Sequence, residues 1–153
     1  IERITITSGG ATRFDSVKNG LRLVPIDSMV FVHDGVRCLV SAHLIQRCLE
    51  AALLHGNAIP AIAPADSIRM KTRDGSIPID RDQLRLIQTP QTFRSALLKK
   101  AYAQEFKESF TDDASVLEAI GGEINLVEGE STNIKITLPF DMVLAEMILS
   151  QRS

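Results

Sequence analysis

Met29-Val30-Phe31-Val32 is an unbroken apolar run of strand length that halts at His33-Asp34-Gly35. A strand with one wet face alternates apolar and polar residues, so an unbroken run marks a strand covered on both faces. Ser41 then opens a helix in which Leu44, Ile45, Cys48, Leu49, Ala52 and Leu53 recur at helical spacing, and Gly56-Asn57 stops it. A second buried strand is expected over residues 58–63, ending at Pro64, although Pro60 inside it removes one ladder donor. Strand, helix and strand in this succession predict an α/β fold with a parallel sheet and right-handed crossovers.

The flanking segments extend that pattern. Ile4 and Ile6 alternate with Thr5 and Thr7, a strand-like run over residues 1–7 that stops at Ser8-Gly9-Gly10. Thr12 and Asp15 have capping-box spacing ahead of Val17, Leu21 and Val24, which predicts a short helix. Around Arg73-Asp74-Gly75-Ser76, Ile68 and Met70 on one side and Ile77 and Ile79 on the other predict a hairpin. It has one thin apolar face, so residues 67–88 are expected to leave the body as an arm. Helices are expected from Ser95 and after Thr111, short strands over 124–127 and 133–137, and a last helix near Pro139. Phe140, Val143, Leu144, Met147 and Ile148 share one stripe of that helix, and the Met and Leu stripes read as core.

Composition narrows the function. The 153 residues suffice for one domain with a real core, and the net charge of −2, with both signs interspersed, argues against a nucleic-acid face. No apolar run approaches the roughly 18–20 residues that span a bilayer. Cys38 and Cys48 match neither a redox nor a finger spacing, and three scattered histidines do not suggest zinc, which suits a reducing cytoplasm. The chain opens at Ile1, without an initiator Met and inside a strand-like run. We therefore read it as lacking an N-terminal part, where any targeting segment would lie.

In open α/β sheets, ligands sit beyond the carboxyl ends of strands. Three such ends carry polar residues here: Ser8-Gly9-Gly10, His33-Asp34 and Ala65-Asp66-Ser67. Gly9-Gly10 is either a plain turn or a close backbone approach to a ligand. Asp34 would hold a ribose hydroxyl or a metal and Arg37 a phosphate, unless the two form a loop ion pair. His33 reads as a structural hydrogen-bonding residue, Thr89-Pro90-Gln91 as a strand exit, and Thr111-Asp112 as a helix cap. Lys135, between Ile134 and Ile136, faces away from the core.

In sequence order, Gly9-Gly10, Arg13 and Asp15-Ser16-Val17, His33-Asp34-Gly35-Val36-Arg37, and Asp80-Arg81 are followed by Thr89-Pro90-Gln91, Thr111-Asp112-Asp113-Ala114-Ser115 and Asn133-Ile134-Lys135-Ile136-Thr137. With this order and spacing, the chain resembles the cytidylyltransferases of the non-mevalonate isoprenoid pathway, which join CTP to 2-C-methyl-D-erythritol 4-phosphate. The resemblance implies a Rossmann-like nucleotidyltransferase three-layer sandwich with a protruding β-hairpin arm. Residues 1–153 would then be the C-terminal two-thirds of a single nucleotidyltransferase domain.

It also implies a divalent cation such as Mg2+, CTP and a sugar-alcohol phosphate as partners, and a homodimer through the arm. Gly10 and Ser16 would line the cytosine pocket, with Asp34 and the Gly35 backbone at the ribose. Arg37, Ser67, Thr89 and Thr111 would surround the alcohol phosphate, and Arg81 and Lys135 would position it for attack. No metal ligands are assigned. The family pattern reads His-Asp-Ala-Ala-Arg-Pro where this chain has Gly35, Val36 and Cys38, and prefers Thr where Ser67 stands. The family's Gly-rich loop, with its Arg and Lys, is absent from these residues, so this stretch on its own is expected to be inactive. Two rivals are a ribitol or other pentitol 5-phosphate cytidylyltransferase and a non-catalytic dimerisation module.

Overall fold

Every side chain of β1 (Met29–Val32) packs against a helix layer: Val30 and Val32 face one cluster, Met29 and Phe31 the other. That two-sided packing is what an unbroken apolar run requires, and it sets up three layers. The computed structural model describes residues 4–152. On one side of the sheet, α2 (Ala42–His55) buries Leu44, Cys48 and Ala52 against Ala58. On the other, α1 (Arg13–Leu21), α3 (Ser95–Ala101) and α4 (Asp113–Glu118) enclose Phe14, Ile59, Phe93, Leu98, Tyr102 and Leu117. Fully burying a side chain of this size contributes about 1.5–3 kcal/mol, so these two clusters hold the layers together.

The helix ends follow the sequence signals. Thr12 accepts from the Asp15 amide while the Asp15 carboxylate accepts from the Thr12 amide, a complete capping box on α1. Ser41 caps α2 through the Leu44 amide, and Gly56 closes it at φ 91°. That left-handed conformation favours glycine.

The sheet departs from the simplest expectation. β1 and β2 (Asn57–Ile62) point the same way but are not neighbours, because β6 (Gln91–Arg94) lies antiparallel between them. β7 (Leu126–Glu128) pairs parallel with the other edge of β2, and β5 (Leu86–Ile87) continues the β6 side. Pro60 is tolerated for a local reason. It lies where β2 changes partner, from β6 at Asn57 and Ala58 to β5 at Ala61 and Ile62. Its carbonyl accepts from Gln88 at 2.7 Å, and its missing donor falls in the gap between the two ladders.

β3 (Ile68–Thr72) and β4 (Gly75–Ile79) form a separate two-stranded sheet, the expected hairpin. The loop is Arg73-Asp74, with Gly75 paired to Thr72 as the first residue of β4, one position from the expected turn. A turn Arg81–Gln83 of 3-10 helix leads back to β5.

Three other expectations are corrected. Residues 1–3 of the first expected strand lie outside the described residues. Residues 4–7 form no strand, and Ile4 and Ile6 are exposed, since no strand lies beside them to pair. Residues 133–137 keep the alternation, with Ile134 and Ile136 half-buried around exposed Lys135, but face a loop instead of a strand. Their tie there is the Ile136 amide to the Val36 carbonyl. Finally, α5 (Pro139–Ser150) forms where expected, yet its stripe is not core: Phe140 is 73% and Met147 56% exposed, and Ala145 alone is buried.

Candidate active site

At the carboxyl end of β1, where β6 begins, a cavity of about 340 Å³ is lined by Arg13, Asp34, Arg37, Ile87, Gln88, Thr89, Gln91, Thr111, Asp112 and Lys135. Five residues expected at the site therefore meet here: Asp34, Arg37, Thr89, Thr111 and Lys135. Asp34 faces two cations. Lys135 Nζ lies 3.1 Å from its Oδ2, while Arg37 Nε is 3.9 Å away, beyond hydrogen-bond reach. The loop ion pair considered from spacing is thus the weaker one, and the lysine a hundred residues downstream is the true partner.

Arg37 acts largely as a clip. Its Nη1 donates to the Asn133 carbonyl at 2.8 Å and its Nη2 to the Ile87 carbonyl at 3.4 Å, while Nε is buried without a partner. Burial pushes this guanidinium pKa down, and Asp34 works against the shift. The fork that would grip a phosphate is therefore occupied by backbone.

His33 is structural, as its context suggested. Its Nε2 lies 3.0 Å from the Arg37 carbonyl, which only accepts, so in the neutral ring Nε2 carries the proton. Nδ1 then accepts from the Thr89 hydroxyl at 2.9 Å, and that oxygen accepts from the Asp34 amide at 3.0 Å. This chain of bonds fixes the Asp34 loop to the start of β6. Asn133, fully buried, donates to the Thr89 carbonyl at 2.8 Å and holds the Lys135 segment to the same place.

Under the cavity, buried Gln91 donates to Asp112 at 2.8 Å and accepts from the Ala114 amide at 3.0 Å. Asp112 caps α4 through the Ser115 amide at 2.8 Å, the role its position suggested. Arg13 bonds Asp113, which is fully buried. Burial works against the Arg13 charge, but the Asp113 hydrogen bond and charge outweigh it and raise the arginine's pKa, with help from Tyr102 and Asp34. Sequence reasoning assigned no site role to Arg13, Gln91 or Asp112. Only the motif order that carries the resemblance pointed to them.

The remaining expected residues lie elsewhere. The Gly10 amide donates to Ser16 Oγ at 2.9 Å, at the exposed start of α1. A Cβ on Gly10 would come within 2.2 Å of the Asp15 Cβ, so this approach requires glycine. Gly35 lines no part of the cavity, and a Cβ there would meet nothing within 4 Å. Ser67 and Arg81 line a second cavity, of about 480 Å³, at the base of the arm, and Arg81 Nη1 donates to the Ala65 carbonyl at 2.5 Å.

Among the described residues no group of three metal-ligating side chains gathers. Mg2+ commonly takes one or two carboxylates and completes its shell with water and substrate phosphates. Asp112 uses both oxygens on the Ser115 amide and Gln91, and Asp34 Oδ2 faces Lys135, so neither carboxylate of the wall is set aside for a metal.

A three-layer α/β sandwich with a cation-lined cavity at its strand ends has its candidate site where open α/β sheets bind ligands. A family model described as "IspD: 2-C-methyl-D-erythritol 4-phosphate cytidylyltransferase" matches residues 1–151. The chain belongs to that family. It is 49% identical over 147 residues to the 2-C-methyl-D-erythritol 4-phosphate cytidylyltransferase of Phocaeicola vulgatus, covering 96% of this chain and 67% of the relative. It is 50% identical over 144 residues to the Bacteroides fragilis protein of the same name, covering 94% and 66%. The crystal structure of the Thermus thermophilus cytidylyltransferase superposes with a TM-score of 0.83 at 39% identity, over 94% of this chain and 72% of that one. The chain spans about two thirds of the length of these curated relatives.

Proposed function

We propose that the complete protein transfers CMP from CTP to 2-C-methyl-D-erythritol 4-phosphate and releases pyrophosphate. The observation that carries this reading is the family match along residues 1–151, to relatives named for that activity. The cavity is consistent with it, since Asp34, Lys135 and Arg13 offer charge of both signs to a polar, anionic substrate pair.

In the reaction, an oxygen of the alcohol's phosphate forms a bond to the α-phosphorus of CTP. The bond from that phosphorus to the β-phosphate oxygen breaks, and pyrophosphate leaves. The attacking oxygen is already anionic, so the protein orients reactants and neutralises charge, and no general base is needed. Lys135 and Arg81 position the attacking phosphate, with Ser67, Thr89, Thr111 and Arg37 around the alcohol. Gly10 and Ser16 hold the cytosine, and Asp34 and Gly35 the ribose. Mg2+, when bound, neutralises the triphosphate charge.

Arg81 and Ser67 lie outside the cavity that holds Lys135. We therefore propose a homodimer through the arm, in which Arg81 serves the partner's cavity. The face formed by the pairs Ile68–Ile79 and Met70–Ile77 supports this, because Met70 and Ile77 remain 50% and 45% exposed. A lone two-stranded hairpin is marginal in water, and a symmetry mate would cover this face. Two free cysteines, Cys38 and Cys48, suit a cytoplasmic location. No described helix is long and apolar enough to cross a membrane.

Pyrophosphate release by the complete protein, with CTP, Mg2+ and either 2-C-methyl-D-erythritol 4-phosphate or ribitol 5-phosphate, tests the reading. Release with the first alcohol is expected. No release with it rejects the reading, and a preference for ribitol phosphate reassigns the substrate.

A further inference from the structure

Arg13 is given no particular contact in the reaction as described, yet it lines the same cavity as Lys135, Thr111 and Asp112. Its guanidinium is anchored from behind. Nη2 donates at 2.5 Å to Oδ2 of Asp113, whose other oxygen accepts from the Tyr102 hydroxyl at 2.5 Å. The Phe14 ring, one residue on, stacks on Tyr102 at 4.7 Å and fixes the first turn of α1 against α3. Burying the Asp113 carboxyl is costly unless it is paired, and here both oxygens are paired. The result is an arginine held in one place while 39% of its side chain stays exposed.

The other cations of the wall have partners that line the cavity with them or belong to the backbone. The Arg37 Nη atoms donate to backbone carbonyls, and Lys135 is drawn to Asp34. The Arg13 guanidinium is held by Asp113 and by the Tyr102 hydroxyl that Asp113 also binds. A guanidinium presents five N–H donors in a planar fork suited to phosphate oxygens, so most of this fork remains available.

We infer that Arg13 contacts the phosphate of the alcohol substrate, approaching it from the Thr111–Asp112 side of the cavity. This rests on the cytidylyl-transfer reading. It follows from the Asp113 anchor, which holds Arg13 on the wall that also carries Thr111, Asp112 and Lys135, in a cavity that neither Gly10 nor Ser16 lines. Asp113 and Tyr102 are positioning residues that act through Arg13.

Calorimetric titration of the complete protein tests this without requiring turnover. The alcohol phosphate is titrated alone and with a CTP analogue whose α–β bridge is a methylene group, against wild type, Arg13→Gln and Arg13→Lys. Losing a charge-assisted contact should weaken alcohol-phosphate binding about ten- to a hundredfold in Arg13→Gln, with analogue affinity changed less than about twofold. Arg13→Lys keeps a charge for Asp113 but loses the fork, and should fall between the two. If Arg13→Gln fails to fold, Arg13→Lys decides alone: unchanged alcohol-phosphate affinity overturns the inference. Equal weakening of both ligands, weakening of the analogue alone, or a lower melting temperature with unchanged affinities makes Arg13 structural and also overturns it. So does a wild type that binds no alcohol phosphate. Binding without pyrophosphate release sinks the cytidylyl-transfer reading and leaves the Arg13 contact standing.

Discussion

Lys135 is half exposed and, among the described residues, pairs only with Asp34, so removing its ammonium should leave the core untouched. A lost charge-assisted contact in a dry site is worth on the order of 2–4 kcal/mol. Lys135→Ala in the complete protein should then lower turnover by roughly tens- to a thousandfold, with little change in melting temperature. Normal turnover with a large loss of stability would identify a structural lysine instead. Gly35 differs from the family's alanine without any steric demand, since its φ is not positive and a Cβ there would touch nothing. Gly35→Ala should stabilise by about 0.4–1 kcal/mol, by restricting the unfolded chain. Urea denaturation showing a loss would mean that this loop needs glycine for a contact not formed here.

Elements were legible where local signals agreed with the fold. The β1 run, the Ser41 cap and the Thr12–Asp15 box each act over a few residues, and each formed as read. β6 was harder to read because Gln91 and Thr92 are polar yet buried, so its place between β1 and β2 left no apolar pattern. β7 begins at Leu126, later than its apolar run suggests, because the Asn57 side chain bonds the Glu123 carbonyl and the Asn125 amide. At the site, the Asp34 and Lys135 segments were readable from their flanking residues. The anchor of Arg13 lies a hundred positions away at Asp113, a distance no spacing rule spans. The α1 cap offers a clean test. Thr12→Ala removes one side of the capping box and should cost about 1 kcal/mol in a urea titration. An unchanged midpoint would mean that packing of Phe14 alone sets the start of α1.

For the whole molecule, the proposed dimer makes a prediction that no single subunit can satisfy. Arg81→Ala and Lys135→Ala, each impaired as a homodimer, should recover part of the activity when mixed under subunit exchange. One of the two sites in each heterodimer then holds both cations. Mass spectrometry can establish that exchange occurred. Proven exchange without recovery would place Arg81 in its own subunit's cavity.

The pairing of Ile62 with Leu86 has a different consequence, one of design and descent. The chain leaves the sheet and re-enters it at adjacent points, so everything between is topologically a loop, however long it has grown. Residues 63–85 can be lengthened, shortened or exchanged without shifting the register of any strand in the body. A variant with these residues replaced by a four-residue turn should keep its sheet and, on the arm dimer proposed above, be monomeric. Lineages of this scaffold are free to rewrite this excursion while the register of the body's strands stays as it is.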